Sequence, residues 1–272
     1  MGKSTGNARS EGQVRVGIGG WTFAPWRGTF YPAKLVQRRE LEYASRELTT
    51  IEVNGTFYGA QKPATYAKWR AETPDGFVFS LKAPRYVTDR RVLADAGRAI
   101  ADFVHGGLSE LGDRLGPINW QFPPHKPFEP ADFAGFLEQL PRDLDGQPLR
   151  HVVEVRDPGF ACVEFVELVR RHGVAIVYTD SPKHPSFADL GADFVYARLM
   201  RSEAECATGY PSSALDAWAT RAHAWADGSE PADLPRVAAS MPPAGSRDVY
   251  IYFISAAKQR NPAAAKALIE RL

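Results

Sequence analysis

Short apolar, β-branched runs alternate with longer amphipathic segments along this chain, and the alternation repeats eight times. Eight strands with helices between them, in about 250 residues, are the pattern of a (β/α)8 barrel. The predicted strands are 14–19, 49–54, 77–82, 117–121, 151–156, 174–180, 193–199 and 248–253. The predicted helices are 34–48, 92–111, 160–172, 215–226 and 261–272, with one opening at Pro63 and one running from Phe133 to Leu140.

A doubly wound open sheet is the structural rival of the barrel. Such a sheet usually has a GxGxxG turn after its first strand, whereas GIGGW continues here as Thr22-Phe23-Ala24. We therefore predict a single-domain α/β protein, a (β/α)8 TIM barrel over residues 14–272 behind a disordered leader at 1–13. Only about a dozen residues separate the sixth and seventh strands, so the sixth helix is predicted to be short or degenerate. Residues 227–245 are predicted to form a long insertion.

Composition narrows the class of protein. Hydrophobic residues make up 44% of the 272 residues, and 33 Lys and Arg balance 32 Asp and Glu. A near-neutral balance argues against a protein that coats nucleic acid through bulk charge. Cys162 and Cys206 lack CxxC spacing, so we expect a reducing compartment, the cytoplasm. The polar N-terminus is unlike a secretory signal, and without a long apolar run we expect no membrane partner.

Polar residues gather where the predicted strands end. The carboxyl ends of barrel strands form the face on which barrel enzymes build their sites. Alternation places Glu52 with Asn54, and Glu154 with Arg156, on one side of each strand, facing the barrel axis. We predict acid/base catalysis by carboxylates, an anion site of basic residues, and two amides that bind the ligand. The carboxylates are Glu52, Glu154 and Asp180, and the basic residues are Lys82, Arg156 and Arg198. The amides are Asn54 and Gln121.

A second interpretation of these polar ends stays open. The acidic and basic side chains could neutralise one another and form a structural plug without a ligand. Aromatic residues near the same face have a similar ambiguity. They can stack on sugar rings or bases, or they can pack over the top of the barrel. The aromatic ligand-binding candidates are Trp21, Trp26, Tyr31 and Tyr58.

The six histidines are dispersed, and only His184 follows a strand end on the presumed active face. A multi-metal hydrolase needs several histidines and carboxylates that converge. We therefore expect no metal centre and no cofactor, although a single Mg²⁺ on Glu52, Glu154 or Asp180 is left open. No Ser/His/Asp arrangement, P-loop or nucleophile elbow is present in the sequence.

Several blocks in order resemble the YecE-like family, the domain-of-unknown-function family numbered seventy-two. They are GIGGWTFAPWRGTFYP, TIEVNGTFYGAQKPATYAKWRAETPDGFVFSLKAPRYVT, QFPP, VEVRDPGF and FVYARL, which together span nearly the whole chain. The resemblance implies a TIM barrel but supplies no activity. The residues that match the family motifs are Trp21, Trp26, Tyr31, Glu52, Asn54, Phe57, Tyr58, Lys82, Gln121, Pro123, Glu154, Arg156, Asp180 and Arg198.

Three positions depart from the family pattern. The family usually has Arg-His where this chain has Arg156-Asp157. It has His-Gly after the seventh strand, where this chain has Met200-Arg201, and an Asn pair after the eighth, where this chain has Ile254-Ser255. Two histidines and an amide are thus missing from the presumed pocket of this divergent member.

Two classes of function follow. The first is an enzyme, a hydrolase or lyase, that acts on a phosphorylated or carbohydrate-like small molecule. A glycosidase is one form of it, with two carboxylates at a defined separation. The second is a non-catalytic barrel that binds a ligand or nucleic acid, which the three departures favour modestly. Nucleic acid enters only by fold-level analogy, so we do not favour it as a partner. The sequence does not indicate an oligomeric state.

Overall fold

Eight parallel strands close into one barrel in the computed structural model, which describes residues 12–241 and 245–272. Each strand pairs with its neighbours in the sequence, and the last pairs with the first, which confirms the predicted TIM barrel. Most of the predicted leader, residues 1–11, lies outside the described residues. The strands are β1 Val14–Gly19, β2 Thr50–Val53, β3 Val78–Lys82, β4 Leu115–Gln121, β5 His151–Glu154, β6 Ala175–Asp180, β7 Phe194–Leu199 and β8 Asp248–Phe253.

Helices surround the barrel, and four of them are shorter than the sequence predicts. The helices are α1 Glu40–Glu47, α2 Pro63–Glu72, α3 Arg85–Thr88, α4 Gly97–Val104, α5 Pro130–Glu138, α6 Val163–His172, α7 Ser212–Ala226 and α8 Asn261–Ile269. The four shorter ones are α1, α4, α6 and α8. Helix α1 is preceded by a 3-10 turn at Gln37–Arg39. Helix α4 covers only the middle of predicted 92–111. Leu93–Asp95 forms a separate 3-10 turn before it, and Gly107, at φ 116°, interrupts the helical backbone after it. No helix among the described residues is long and apolar enough to cross a bilayer.

The sixth βα unit has no helix between β6 and β7, as its short connection predicts. The chain after α7 covers the connection instead. The carboxylate of Asp189 accepts hydrogen bonds from the backbone N–H groups of Val237 (2.8 Å) and Ala238 (2.9 Å). The backbone N–H of Ala188 donates to the carbonyl of Pro235 at 2.7 Å. The connection between β6 and β7 and the predicted insertion at 227–245 are therefore hydrogen-bonded to each other.

The inside of the barrel is polar below the carboxyl ends of the strands. The hydroxyl of Thr50 lies 2.9 Å from the hydroxyl of Tyr252, and that of Ser80 lies 2.8 Å from the hydroxyl of Tyr196. All four side chains are fully buried, so each hydroxyl needs a partner to offset its lost hydration. This layer of paired hydroxyls lies directly below the next inward-facing residues of the same strands, which are Glu52, Lys82 and Arg198.

Candidate functional site

Arg198 lies between two buried carboxylates at the carboxyl end of the barrel. Its Nη2 lies 3.1 Å from Oε1 of Glu52, and its Nη1 pairs with Oε2 of Glu154. Both glutamates are completely buried, and the arginine is 3% exposed. Because β2, β5 and β7 are not neighbours in the barrel, the contacts show that all three side chains face the barrel axis, as alternation predicts.

Further hydrogen bonds satisfy the two carboxylates. The hydroxyl of Tyr196 donates to Oε2 of Glu52 at 2.6 Å, and Nε and Nη2 of Arg156 donate to Oε1 of Glu154 at 2.9 and 2.7 Å. Burial alone would raise the pKa of the Glu154 carboxyl, but the guanidinium groups of Arg198 and Arg156 lower the pKa to about 2. This glutamate is therefore ionised at neutral pH, and it holds two arginines in place.

A cavity of about 410 Å³ opens above this ion-pair cluster. Four of its lining residues are cationic, and in the described part of the chain none of the lining residues is a carboxylate. The two glutamates below balance only two of the four positive charges. The cavity therefore presents excess positive charge to anything that enters it. It is lined by Gly19, Asn54, Phe57, Tyr58, Lys82, Gln121, Arg156, Arg198, Ile254, Ser255, Lys258 and Asn261.

Lys82 ends β3 at the wall of this cavity. Its Nζ donates to Oε1 of Gln121 at 2.6 Å and lies 4.1 Å from the ring centre of Phe57. Burial and then the charge of Arg198 lower the pKa of Lys82 to about 8, against opposing contributions from Glu52 and Glu154. This lysine therefore carries its proton less firmly than a lysine in water.

Two buried polar atoms at the site lack a hydrogen-bond partner among the described residues. They are Nε of Arg198 and Oδ1 of Asn119. The Nδ2 of Asn119 lies 3.4 Å from Oε2 of both Glu52 and Glu154, so this amide stands directly between the carboxylates. Buried polar groups in folded proteins normally have a partner, so these atoms are points where a polar ligand or solvent can bond.

An aromatic groove of about 390 Å³ adjoins the cationic cavity and shares Gly19, Asn54 and Lys258 with it. Trp21 and Trp69 line the groove, with their rings edge to face at a centroid distance of 5.2 Å. Indole rings of this kind give a flat apolar wall for a sugar or base. The cavity and the groove together offer a charged compartment beside an aromatic one.

Not every predicted site residue lies in these compartments. Trp26 and Tyr31 are buried in the packing of the first loop, at 0% and 1% exposure, and have no free face to stack on a ligand. Nε1 of Trp26 instead donates to the backbone carbonyl of Lys258 at 2.9 Å. Tyr58 does line the cavity and is 75% exposed, with the guanidinium of Arg85 5.9 Å from its ring centre.

Asp180 is also placed differently from the other predicted strand-end residues. It shares the side of β6 with Tyr178, which packs outward against Trp218 and Trp225 of α7. Its Oδ1 accepts a hydrogen bond of 2.6 Å from Nε of Arg201, a residue at one of the positions that depart from the family pattern. Asp180 therefore lies on the outward-facing side of its strand, whereas Glu52 and Glu154 lie on the inward-facing sides of theirs. It is not among the residues that line the cavity.

The donor set does not suit a divalent cation. Among the described residues, no three His, Cys, Asp or Glu side chains converge in a group that could hold a metal ion. The oxygens of Glu52 and Glu154 already accept from arginine and tyrosine donors, so Mg²⁺ would have to displace a guanidinium. His184 is half-buried near the site, and burial followed by the charge of Arg156 lowers its pKa. Whether the protein uses a cofactor stays a prediction.

Three residues at the site were not among those predicted from the sequence: Asn119, Tyr196 and Lys258. The first two could have been found, because each lies two residues before a predicted site residue on the same strand and so faces the same way. Lys258 could not. It follows a turn in which Ser255 and Ala256 adopt positive φ angles of 60° and 46°, and no strand or helix pattern places it at the cavity.

Comparison with known proteins gives a consistent picture. The family profile described as "Protein of unknown function DUF72" matches residues 15–272. The UPF0759 protein YunF of Bacillus subtilis (strain 168) is 26% identical over 116 residues. That match covers 41% of this chain and 40% of YunF, so the chain spans about two fifths of the length of this curated relative.

Two solved structures are similar along almost their entire length. A DUF72 family protein from Thermotoga maritima MSB8 has a TM-score of 0.66 at 22% identity, covering 94% of this chain and 97% of its own. A DUF72 family protein from Enterococcus faecalis V583 has a TM-score of 0.63 at 14% identity, covering 95% and 94%. At these identities the similarity shows a shared fold.

Proposed function

This chain belongs to the DUF72 family, and from that premise we propose that it binds a small phosphorylated, carbohydrate-like molecule at the carboxyl end of its barrel. The single observation that carries the proposal is the cavity with four cations above two buried carboxylates. A volume of about 410 Å³ is within the usual range for small-molecule sites, and it exceeds what a bare phosphate needs.

Arg156 and Arg198 hold the anion in this proposal. Arg156 uses Nε and Nη2 for Glu154, and a guanidinium has five N–H donors, so donors remain for a ligand. Arg198 has its Nε without a protein partner in the described ranges. Guanidinium groups bind phosphate through paired hydrogen bonds, and Lys82 and Lys258 add positive charge around them. The organic part of the ligand then lies in the adjoining groove, against Trp21.

Glu52 and Glu154 serve this function as positioning residues. Their oxygens are engaged by arginine and tyrosine donors, and the low pKa of Glu154 makes it a poor proton donor at neutral pH. Their negative charges fix the direction of the two guanidinium groups before a ligand arrives. Preorganised donors lose less conformational entropy on binding, which favours affinity. The rival interpretation, a self-neutralised plug, requires that no anion bind.

Titration calorimetry with inorganic phosphate and with glucose 6-phosphate separates the two interpretations. We expect the wild type to bind both, and glucose 6-phosphate more tightly because it also contacts the groove. Arg156→Lys should weaken binding by about tenfold or more, since an ammonium lacks the planar fork. Arg221→Lys, at a surface arginine paired with Asp233, is the matched control and should bind as the wild type does. Absence of binding at millimolar concentration contradicts the proposal.

A further inference from the structure

Lys82 is a buried amine on the wall of the cationic cavity, and anion binding does not require its nucleophilicity. Its side chain is 6% exposed at the end of β3, and its Nζ reaches the cavity. The partner of Nζ is an uncharged amide oxygen, that of Gln121, at 2.6 Å. A lysine in such a place is unusual because buried lysines are normally paired with a carboxylate.

The nearby carboxylates are committed to other cations. Glu154 is paired with Arg198 and Arg156, and Glu52 with Arg198. Within the described part of the chain, no carboxylate oxygen lies within 4 Å of Lys82 Nζ. The ammonium form of Lys82 thus faces two guanidinium groups without an anionic partner of its own. This arrangement favours loss of its proton, and the lowered pKa of about 8 agrees with the geometry.

A desolvated lysine beside cationic groups, which loses its proton more easily than a lysine in water, is an arrangement that enzymes use to attack carbonyl carbons. We propose that Lys82 Nζ forms an imine with a small ketone or aldehyde that carries a phosphate or carboxylate group. The inference rests on the proposed function, because Arg156 and Arg198 would hold the anionic group while Lys82 meets the carbonyl. It names the substrate class of the same site.

The chemistry balances without an oxidant or reductant. The lone pair of Nζ forms a C–N bond to the carbonyl carbon as the C=O π electrons move to oxygen. A proton passes from nitrogen to that oxygen by way of solvent, which gives a carbinolamine. The hydroxyl then takes a second proton and leaves as water, and the nitrogen lone pair forms the C=N bond. The resulting iminium withdraws electrons from the neighbouring carbon, so the class of reaction served is cleavage or proton transfer at that carbon.

Lys258 provides a matched control because it lines the same cavity. Its Nζ lies over two aromatic rings, 4.6 Å from the centre of Phe23 and 5.5 Å from that of Trp26. A ring face stabilises an ammonium ion, and two rings stabilise it more than the single ring beside Lys82. Burial lowers the pKa of Lys258 as well, but the charge of Arg198 adds to the lowering only at Lys82. We therefore expect Lys82 to lose its proton and react before Lys258 does.

Reductive trapping tests the inference directly. The full chain is incubated with pyruvate or dihydroxyacetone phosphate and sodium cyanoborohydride, and adducts are located by intact-mass and peptide mass spectrometry. We expect one adduct, on Lys82, whose rate rises with pH through about 8 and falls at least tenfold when phosphate is in excess. Acetone, which has no anionic group, should react at least tenfold more slowly. Lys82→Arg should abolish the adduct, and Lys266→Arg, at a lysine of α8 that is paired with Glu47 outside the cavity lining, should keep it.

The outcomes distinguish this inference from the proposed function. Phosphate binding by calorimetry without any Lys82 adduct overturns the imine and leaves the anion site standing. No phosphate binding and no adduct overturns both. Adducts spread over surface lysines or placed on Lys258 also overturn the imine. An adduct on Lys82 that forms equally with acetone overturns the anionic substrate class. If Lys82→Arg does not fold, Lys82→Met and the site of labelling in the wild type give the same decision.

Discussion

The two ends of the barrel contain the same kinds of charged residue in different environments. At the amino-terminal end, Arg150 donates to Asp248 (2.7 Å) and to the hydroxyl of Tyr250 (2.8 Å), and its charge lies 5.5 Å from the ring centre of Phe194. Both members of this ion pair keep contact with solvent, with side chains 36% and 24% exposed. At the carboxyl end, the corresponding arginine and glutamates are buried beneath an open cavity.

The difference in burial is the reason why we propose a ligand site at the carboxyl end and not at the amino-terminal end. Solvent screens the charges at the amino-terminal end, so an ion pair there contributes little and needs no further partner. Burial at the carboxyl end makes every charge costly unless it is paired, and yet the cations outnumber the carboxylates. The proposed anionic ligand would balance this excess positive charge.

The largest expected difference between the ends is in stability. Arg198→Met leaves Glu52 and Glu154 buried without their shared cation, so it should lower the free energy of unfolding by about 3–5 kcal/mol. The matched change at the other end, Arg150→Met, should cost about 1 kcal/mol or less. Urea unfolding followed by circular dichroism measures both. Equal losses for the two variants would show that burial does not separate the two ends.

The two ends should also respond to acid in different pH ranges. His151 begins β5 at the amino-terminal end, where burial lowers its pKa to about 4 from an unfolded value of 6.5. Below pH 6.5 the unfolded chain binds a proton that the folded chain refuses, so stability falls as the pH decreases from 6.5 to 4. The pKa of Glu154 is lowered from 4.5 to about 2, so its contribution is present above pH 4.5 and is lost as the pH falls towards 2.

Each loss of stability should be about 3 kcal/mol, and two variants identify the group responsible for each loss. His151→Gln should flatten the free energy of unfolding between pH 6.5 and 4 without changing the slope below. Glu154→Gln should leave that upper range unchanged and flatten the slope below pH 4.5. Urea titrations at half-unit pH intervals measure the slopes. If both variants alter the same pH range, the assignment of separate ranges to the two ends is wrong.

The smallest expected effect is at the edge of the cavity. Tyr58→Ala removes an exposed ring, so the free energy of unfolding should change by less than about 0.5 kcal/mol. Loss of a ring contact should weaken glucose 6-phosphate binding by about 0.5–1.5 kcal/mol and leave inorganic phosphate unchanged. Tyr86→Ala, at an exposed tyrosine outside the cavity lining, should change neither affinity. Equal weakening of both ligands would place Tyr58 in the anion site itself.

The sequence predicted the architecture closely because strand and helix periodicities are local properties of the chain. β1 and β8 begin and end at the predicted residues, and the other strands differ by two residues or fewer at each end. Side-chain direction follows from alternation, and it correctly places Glu52, Glu154 and Arg198 towards the axis. The same rule would have turned Asp180 outward, since it shares a strand face with Tyr178.

Contacts between distant segments lie beyond such rules. Trp26 and Tyr31 occur in the same loop as Trp21, and no local pattern distinguishes the two that are buried from the one that lines a groove. The commitment of Glu52 and Glu154 to arginines likewise depends on strands that are far apart in sequence. These pairings changed the expected role of the glutamates from acid/base groups to groups that orient cations.

The missing sixth helix has a consequence for the order in which the protein can form during synthesis. The cover over the connection between β6 and β7 is supplied by residues 48 positions further along the chain, where Val237 meets Asp189. A nascent chain that ends at helix α7 has both strands but not the segment that covers their connection. During synthesis, β6 and β7 are therefore complete before the segment that covers their connection. We expect the connection between β6 and β7 to stay accessible to chaperones and proteases until translation has passed residue 238, before β8 closes the barrel.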